Sequence, residues 1–382
     1  MAFPPLVEPV AALTDAERTR TARHRVLAGF GEIAQRRLAA AHVAVVGAGG
    51  LGSPVVLALA AAGVGTITVI DDDLVEASNL QRQIMHRVSD VGAAKVDSAV
   101  RIAADLSPTT VVRPVQALLT PGNAADLLAG AHVVVDGTDT FETREAVAAA
   151  CEQLGVPLVW GVVQEFHAQA TVFWSTPPAG GTPVRLADLY PPDAGREAPS
   201  CAQVGVLGAL CLQVGSILAT EAVKLITGVG EPLLGRVLVI DALRARTDEV
   251  PLRPASEGST DAAHAAPAEV HEAAASDVRS TAAIAQLSPA EALAAQRSGA
   301  VLLDVREPFE TERGVIPGSV LVPLGDVLAD PSRVHAAAVV VVCQVGMRAQ
   351  RAAAALRGAG VEASVLAGGI DAWNRDIATV HA

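Results

Sequence analysis

The sequence predicts an α/β protein in which a largely parallel sheet is covered by helices and a second, smaller α/β domain follows. Short, continuously apolar runs such as His42–Val46 and Thr66–Ile70 alternate with Ala-rich stretches of helical length. This alternation is typical of buried parallel strands connected by helices. Residues 251–280, rich in Pro, Ser, Ala and Glu, interrupt the pattern, which then resumes. The 382 residues are also enough for two domains.

We therefore expect a first domain over residues 1–250, a flexible linker over 251–280 and a second domain over 281–382. The linker is predicted because its composition lacks a sustained apolar period. In the first domain the predicted strands are His42–Val46, Thr66–Ile70, Val111–Val115, His132–Val135, Pro157–Gly161, Ala170–Trp174 and Val237–Ile240, and the predicted helices are Ser53–Ala62 and Val204–Ile226.

Composition excludes several classes of partner and location. The formal charge of −13 argues against non-specific nucleic-acid binding, which needs clustered cations. The sequence contains no uninterrupted apolar run of about 20 residues, so we expect no membrane span. The N-terminus lacks the basic and apolar regions of a secretory signal. None of the four cysteines forms a C-x-x-C pair, so we expect a reducing, cytoplasmic location.

A glycine motif after the first strand predicts a nucleotide site. Gly47, Gly49, Gly50 and Gly52 fit the pattern G-x-G-x-x-G between a predicted strand and a predicted helix. Such glycines let backbone N–H groups approach a phosphate at the positive end of the helix. Asp71 ends the next strand, where a carboxylate accepts ribose hydroxyls. The motif alone leaves NAD and other nucleotides equally open.

The residues that follow favour ATP over NAD. The run S-N-L-Q-R-Q contains Asn79, Gln81 and Arg82, Lys95 comes next, and the run D-G-T-D ends in Asp139. In this order, from about residue 17 to 250, the motifs resemble the bacterial ThiF/MoeB branch of the ubiquitin-activating superfamily. The resemblance implies a Rossmann-like domain that binds ATP and Mg²⁺ and adenylates a carboxylate.

In that chemistry a carboxylate attacks the α-phosphate and pyrophosphate leaves, so cations must neutralise the developing charge. A hydride-transfer site needs no such cations. The resemblance implies that Arg82 and Lys95 contact the triphosphate and that Asp139 helps to hold Mg²⁺. It also implies that Asp71 binds the ribose, whereas Asn79 and Gln81 shape the pocket.

The N-terminal segment R-T-A-R-H resembles the family's R-Y-x-R-[QH] motif. In the family the second arginine, here Arg23, reaches the ATP of a partner subunit, which implies a homodimer. Arg23 could otherwise be a surface arginine. Two departures are Thr21, which replaces the usual aromatic residue, and Thr140, which replaces the Asn after Asp139.

The cysteines predict no structural zinc, since two C-x-x-C pairs hold that metal in many members of the family and none occurs here. The segment P-x-R-x-x-D-L-Y-P followed by Cys201 resembles the actinobacterial MoeZ type, which also lacks those pairs. Some relatives use a cysteine at the Cys201 position to bond to the carrier protein, and a passive loop role stays open. Cys151 and Cys211 lie in apolar helical runs and are expected in the core.

The last hundred residues resemble a single rhodanese domain. They contain the motifs L-L-D-V-R-E, G-V-I-P-G-S, C-Q-V-G-M-R and L-A-G-G-I-D-A-W. The predicted strand Val339–Val342 runs into Cys343, and the loop up to Arg348 favours a thiolate and then a persulfide. Four residues separate Cys343 from Arg348, whereas related phosphatases use five, so we predict a sulfurtransferase. Asp304 and Arg306 are expected to support the fold.

Together the two domains predict one reaction sequence. The first adenylates the C-terminal glycine of a ubiquitin-like sulfur carrier of the MoaD, ThiS or CysO kind. A cysteine desulfurase or other persulfide donor loads Cys343, and the persulfide converts the acyl-adenylate to a thiocarboxylate. Two alternatives stay open: an NAD-dependent oxidoreductase fused to a rhodanese domain, and a regulatory binding module whose sites are inactive.

Overall fold

The structure is a computed structural model that describes residues 3–191, 205–254, 284–312 and 314–376. Its contacts divide the described chain into two compact units, the first comprising residues 3–191 and 205–254 and the second residues 284–376. Both units are α/β, which confirms the predicted fold class. Most of the predicted linker, residues 251–280, lies outside the described residues.

The first unit is built on one eight-stranded sheet with the order β3-β2-β1-β4-β5-β6-β7-β8. Its strands are β1 (His42–Val46), β2 (Thr66–Ile70), β3 (Val111–Val115), β4 (Val133–Asp136), β5 (Leu158–Gln164), β6 (His167–Phe173), β7 (Arg236–Asp241) and β8 (Arg246–Pro251). Its helices are α1 (Asp15–Arg20), α2 (Ala22–Arg25), α3 (Gly31–Ala40), α4 (Gly52–Ala62), α5 (Lys95–Leu106), α6 (Ala124–Leu128), α7 (Phe141–Leu154), α8 (Leu186–Leu189) and α9 (Gly208–Thr227).

Strands β1 to β5 are parallel, and the chain order reverses at β1, which has β2 on one side and β4 on the other. In open α/β sheets a crevice forms at the carboxyl ends of the strands at such a switch point. The glycine motif, Asp71 and the D-G-T-D run all follow these three strands. The topology therefore brings the predicted nucleotide residues to one edge of the sheet.

The antiparallel part of the sheet is longer than the sequence predicts. Strands β5 and β6 form a hairpin that pairs Leu158 with Phe173 and Gln164 with His167. Its turn contains Glu165 at φ 51°, the left-handed conformation that tight hairpin turns require. Strand β8 is not among the predicted strands, because every residue in it is exposed and it has no apolar face to detect.

The first unit extends slightly past its predicted boundary at residue 250. Strand β8 ends at Pro251, and the N–H of Leu252 donates to the carbonyl of Gly235 at 2.8 Å. Leu252 is also buried. The boundaries of the domains and of the linker remain predictions, but the sheet includes the first residues assigned to the linker.

Helix α9 is long and apolar enough to cross a membrane by length and composition alone. More than half of its apolar window is buried within the unit, where it packs against α4 and strands β5 and β6. Leu210, Val214 and Leu218 are fully buried on this side. Glu221 and Lys224 interrupt its apolar run and form an ion pair. This is the packing of a core helix.

The second unit is built on a five-stranded parallel sheet with the order β11-β10-β12-β13-β9. Its strands are β9 (Gln286–Leu287), β10 (Val301–Asp304), β11 (Val320–Leu321), β12 (Ala338–Val342) and β13 (Glu362–Leu366). Its helices are α10 (Pro289–Arg297), α11 (Pro308–Thr311), α12 (Leu324–Ala329), α13 (Met347–Gly358) and α14 (Gly369–Asp376). The central strand β12 ends directly before Cys343.

Candidate active sites

A cleft of about 290 Å³ opens at the carboxyl ends of β1, β2 and β4. Backbone of the glycine motif forms one wall, and the loops after β2 and β4 form others. Cationic and anionic side chains share the lining. The charged residues that line it are Asp71, Asp72, Asp73, Arg82, Lys95, Asp139 and Arg144.

The glycine loop requires glycine for steric reasons. Gly47 has φ +87° and its N–H donates to the carbonyl of Ile70 at 2.8 Å. A Cβ at Gly52, the first residue of α4, would lie 1.8 Å from the carbonyl oxygen of Gly47. Only glycine allows the loop to fold back on the start of the helix. The cleft is thereby bounded by Gly47, Gly49 and Gly50, with backbone close enough for phosphate.

Asp71 is held between the glycine loop and the next loop. Its Oδ2 accepts from the N–H of Ala48 at 2.7 Å, and its Oδ1 accepts from the N–H of Asp73 at 2.9 Å. Burial raises the pKa of Asp71, and the Lys95 ammonium opposes that rise. The fixed carboxylate is oriented at the strand end, where it could accept ribose hydroxyls.

Lys95 reaches the cleft from the start of α5 and is buried. Its Nζ donates to Oδ2 of Asp73 at 2.7 Å and lies 3.9 Å from Oδ1 of Asp71. Arg82 is half-buried and donates to the carbonyl of Ser78 at 3.2 Å. Arg82 and Lys95 therefore both line the cleft, in agreement with a site for a triphosphate.

Carboxylates suited to Mg²⁺ occur in two places. Asp71, Asp72 and Asp73 are the one group of three potential ligands found among residues 3–191, 205–254, 284–312 and 314–376. Lys95 already neutralises part of that group. Asp139, in contrast, is exposed in the cleft and has no hydrogen bond or ion pair to another described residue. A free carboxylate oxygen facing a phosphate site is a ligand that Mg²⁺ prefers.

Three predicted residues do not line the cleft, and a fourth is outside the described part of the chain. Asn79 is buried and its side chain accepts from the N–H of Glu76 at 3.1 Å, capping a short turn. Gln81 is exposed and is not part of the cleft lining. Arg23 lies exposed on α2 and also does not line the cleft of its own chain. Cys201 lies outside the described residues.

Arg20, the first arginine of the R-T-A-R-H segment, anchors the N-terminal helices. It pairs with the buried Glu17, and its Nη1 donates to the carbonyl of Ala61. Arg23 follows on the exposed side. The two arginines of the motif therefore differ in role, one holding the segment and the other facing outward.

Four residues line the cleft or support its loops although the sequence did not predict that role for them. Gln83 is buried beside Gly49, and His86 contacts the carbonyl of Ala48 through Nε2 at 3.1 Å. Burial lowers the pKa of His86, so the neutral ring supports the glycine loop. Cys211, predicted as a core thiol, is buried and also lines the cleft next to Gly50. Arg144 is the fourth.

Arg144 holds the D-G-T-D loop from below. It follows the run by five residues, is buried, and donates from Nη2 to the carbonyl of Thr138 at 2.8 Å. Its guanidinium lies 5.9 Å from the Trp160 ring centre, within cation–π range. Asp136 is fully buried nearby, where burial raises its pKa and the Arg144 charge lowers it. The helical spacing from the D-G-T-D run is the signal that could have identified Arg144.

We expect Arg144→Ala to lower the free energy of unfolding of the first unit by about 2 kcal/mol, because the Thr138 carbonyl would lose its donor and the buried Asp136 carboxyl would lose the favourable Arg144 charge. Adding Asp136→Asn should restore about 1 kcal/mol, because an amide needs no nearby cation when it is buried. Urea unfolding in a Trp373→Phe background would report on Trp160 and Trp174. The exposed Arg113→Ala is the control and should change stability by less than about 0.5 kcal/mol. A double variant with a lower free energy of unfolding than Arg144→Ala alone would contradict this account.

In the second unit, Cys343 opens the loop between β12 and α13. Its Sγ accepts from the N–H of Gly346 at 3.1 Å, a contact that stabilises an anionic sulfur. Gly346 has φ +111°, which turns its N–H toward the sulfur. Cys343 is only 1% exposed, so the thiol lies at the base of the loop. A sulfur donor must therefore insert its sulfur into the loop or displace part of it.

The G-G-I-D motif supports this loop from behind. The N–H groups of Ile370 and Asp371 donate to the carbonyls of Cys343 and Gln344 at 2.9 and 3.2 Å. A Cβ at Gly369 would lie 2.3 Å from the Cys343 carbonyl oxygen, so the close approach requires glycine. Because the carbonyls of Cys343 and Gln344 accept hydrogen bonds from α14, they point away from the sulfur.

Two arginines flank the loop, and each is paired with a carboxylate. Arg306 and Asp304 are buried and joined by short contacts, including Nη2 to Oδ2 at 2.8 Å. Arg306 also donates to the carbonyl of Gly314 at 2.9 Å, which fits the supporting role predicted for this pair. Arg348 forms two 2.6 Å hydrogen bonds with Glu310. Glu310 is not among the residues predicted from the sequence motifs.

Comparison with known proteins identifies the family of this chain. The profile of the ThiF family matches residues 21–260, and that of the rhodanese-like domain matches residues 288–376. The chain belongs to the ThiF family. Its second unit is the rhodanese-like domain. The predicted resemblance to the ThiF/MoeB branch with a fused rhodanese domain is confirmed.

Relatives of this ThiF-family chain carry matching names. The adenylyltransferase/sulfurtransferase MoeZ of Mycobacterium tuberculosis is 42% identical, over 98% of this chain and 97% of its own length. The adenylyltransferase and sulfurtransferase MOCS3-1 of Zea mays is 34% identical, over 94% of this chain and 81% of its own. A sulfur carrier protein adenylyltransferase of Thermus thermophilus is 41% identical, over 63% of this chain and 89% of its own length. This chain is an enzyme of the adenylyltransferase and sulfurtransferase kind, which rejects the oxidoreductase alternative.

Solved structures support the same fold for the first unit of the ThiF-family chain. Escherichia coli MccB with MccA-N7isoASN has a TM-score of 0.55 at 20% identity, covering 64% of this chain and 74% of its own. PaaA has a TM-score of 0.53 at 21% identity, covering 64% of this chain and 76% of its own. At this identity the likeness concerns the fold alone.

Proposed function

We propose that this enzyme uses ATP to adenylate the C-terminal glycine of a ubiquitin-like sulfur carrier and then transfers sulfur from a Cys343 persulfide to form a thiocarboxylate. One observation carries the proposal. A single chain combines a cleft lined by Arg82 and Lys95 at a glycine loop with a cysteine whose sulfur accepts a loop N–H. The first suits a triphosphate and the second a sulfur anion.

In the first step, an oxygen of the carrier's terminal carboxylate bonds to the α-phosphorus of ATP, and the bond to pyrophosphate breaks. Arg82 and Lys95 are proposed to neutralise the phosphate oxygens, while Asp71 holds the ribose. Asp139 would hold Mg²⁺, which supplies further positive charge to the phosphates. The absence of any partner for the Asp139 carboxylate among the described residues supports this assignment.

In the second step, the terminal sulfur of the Cys343 persulfide bonds to the acyl carbon and AMP leaves. The product is an acyl disulfide between carrier and Cys343. A thiol then attacks the Cys343 sulfur, which releases the carrier thiocarboxylate and leaves a mixed disulfide for an external thiol to reduce. Cys201 is the proposed thiol. Because both domains belong to one chain, the effective concentration of the persulfide is on the order of millimolar.

The remaining predictions complete the proposal. A cysteine desulfurase or other persulfide donor loads Cys343. Two copies of the chain form a homodimer in which Arg23 of each reaches the other's ATP, which its exposure on α2 allows. The enzyme works in the cytoplasm, without structural zinc and without nucleic acid or membrane as partners.

The proposal is tested by weighing candidate carriers. The purified chain is incubated with ATP, Mg²⁺, a cysteine desulfurase, cysteine and each carrier in turn. The expected product carrier gains the mass difference between sulfur and oxygen, and AMP and pyrophosphate appear in equal amounts. If every carrier is adenylated but none gains sulfur, the sulfurtransferase half of the proposal is wrong. If none is adenylated, the proposed substrate class is wrong.

A further inference from the structure

Among the described residues, two guanidinium groups contact the Cys343 loop, those of Arg306 and Arg348, and each is paired with a carboxylate. Arg306 is 3% exposed at its side chain and paired with Asp304. Arg348 uses Nη1 and Nη2 to bind both carboxylate oxygens of Glu310 at 2.6 Å. Glu310 is itself fixed, since its Oε2 also accepts from the N–H of Glu307 at 2.8 Å. The loop therefore contains cations but offers little net positive charge.

The surroundings of the loop are acidic as well. Glu307 precedes Glu310 by three residues, and Glu312 follows it on the exposed side. Asp371 lies at the rear of the loop, where its Oδ1 accepts from Gln344 at 2.6 Å. Arg348 keeps the pKa of Glu310 below its usual range despite partial burial, so the carboxylate stays charged. A small dianion that approaches Cys343 meets these charges.

Sulfur donors differ in how strongly they need a free cation. In thiosulfate the Cys343 thiolate would attack the outer sulfur, a sulfur–sulfur bond would form, and sulfite would leave with the electron pair. Three negative charges then meet in the transition state, and a bare guanidinium would stabilise them. With a persulfide donor, the thiolate takes the neutral outer sulfur of R–S–SH and an R–S⁻ thiolate leaves. That transition state carries one negative charge.

We propose that Glu310 is a specificity-determining residue of the second site. By occupying Arg348 it discriminates against small oxyanion donors such as thiosulfate and reserves Cys343 for a persulfide donor. The inference rests on the proposed sulfurtransferase function and adds to it the residue that excludes small oxyanion donors. Glu310 acts through Arg348 and through its own charge, not on the reacting sulfur.

The test compares Glu310→Gln with wild type in the full chain. Glutamine keeps an oxygen for Arg348 but removes the negative charge. Thiosulfate with cyanide as acceptor, and a cysteine desulfurase charged with cysteine sulfur, are used as separate donors. We expect kcat/KM for thiosulfate to rise about tenfold, the effect of one nearby charge at partial burial, mainly through KM. Persulfide formation from the desulfurase should stay within about twofold of wild type.

Glu312→Gln is the matched control, because it removes an exposed negative charge at the end of the same helix, α11, and leaves the pair between Glu310 and Arg348 intact. An equal rise of kcat/KM for thiosulfate in both variants would overturn the proposal, because it would indicate general electrostatic repulsion. A Glu310→Gln variant with unchanged or lower kcat/KM for thiosulfate would overturn it as well, and equal losses with both donors would reveal a merely structural residue. If the wild-type chain accepts sulfur from neither donor, the proposed function itself fails.

Discussion

Cys343→Ser is expected to abolish sulfur transfer from a persulfide donor, with a loss of about 10³-fold or more, because serine cannot form a persulfide. Exchange of pyrophosphate into ATP in the presence of the carrier should remain within about twofold of wild type. The first unit contains the nucleotide cleft and Cys343 lies in the second unit. The measurement is the rate at which the carrier gains sulfur, followed by mass spectrometry.

Free sulfide distinguishes this effect from misfolding. Sulfide can attack the acyl-adenylate without Cys343, so the variant should then produce thiocarboxylate at the wild-type rate. Cys151→Ala is the control for removing a buried thiol, since Cys151 lies in α7 of the first unit. Because Cys343 is 1% exposed, its alkylation by iodoacetamide in the native protein should also be measured. A native Cys343 that neither iodoacetamide nor the persulfide donor modifies would contradict its role as sulfur carrier.

Asp139→Asn should reduce carrier-dependent pyrophosphate exchange by about 10²–10³-fold, the loss expected when one charged group no longer stabilises the transition state. The amide keeps the size of the carboxylate but is a weaker ligand for Mg²⁺. Since Asp139 has no protein partner among the described residues, the fold should be unaffected. Thermal unfolding of the variant should therefore match the wild type.

Asp126→Asn provides the matched control, because Asp126 is an exposed carboxylate on α6 of the same unit and does not line the cleft. Its exchange rate should be that of the wild type. Raising the Mg²⁺ concentration should partly rescue Asp139→Asn but not a variant that loses its phosphate contacts, such as Lys95→Ala. Full exchange activity in Asp139→Asn at low Mg²⁺ would show that another group holds the metal.

The sequence predicted the two α/β domains well because buried parallel strands are continuously apolar and therefore conspicuous. Strand β1 and strand β2 agree with their predicted bounds. Strand β8 escaped prediction because its residues are all exposed and charged or polar at most positions. The β5–β6 hairpin was predicted too short because its outer residues, such as His167 and Gln169, alternate with apolar ones rather than form an apolar run.

In the candidate sites, too, some residues could be predicted from the sequence and others could not. Local motifs suffice to identify a glycine loop or Cys343, because steric and electrostatic demands act there on adjacent residues. Gly47 and Gly52, for example, constrain one another although they are only five residues apart in the same turn. Contacts between distant segments leave no such local pattern. The contact of Cys211 with the Gly50 position and the pair between Glu310 and Arg348 each join separate elements.

The chain's amino-acid order alone was enough to indicate its fold class, its family and the kinds of chemistry it performs, since apolar periodicity and glycine-bound loops are local properties. Which charges remain available in each site depended on folding. Packing exposed Gln81 and buried Gln83, left Asp139 without a hydrogen-bond or ion-pair partner in the described part of the chain, and paired Arg348 with Glu310. The reason is that an ion pair neutralises a charge only when two remote side chains meet, and that meeting is a property of the assembled sheet and helices.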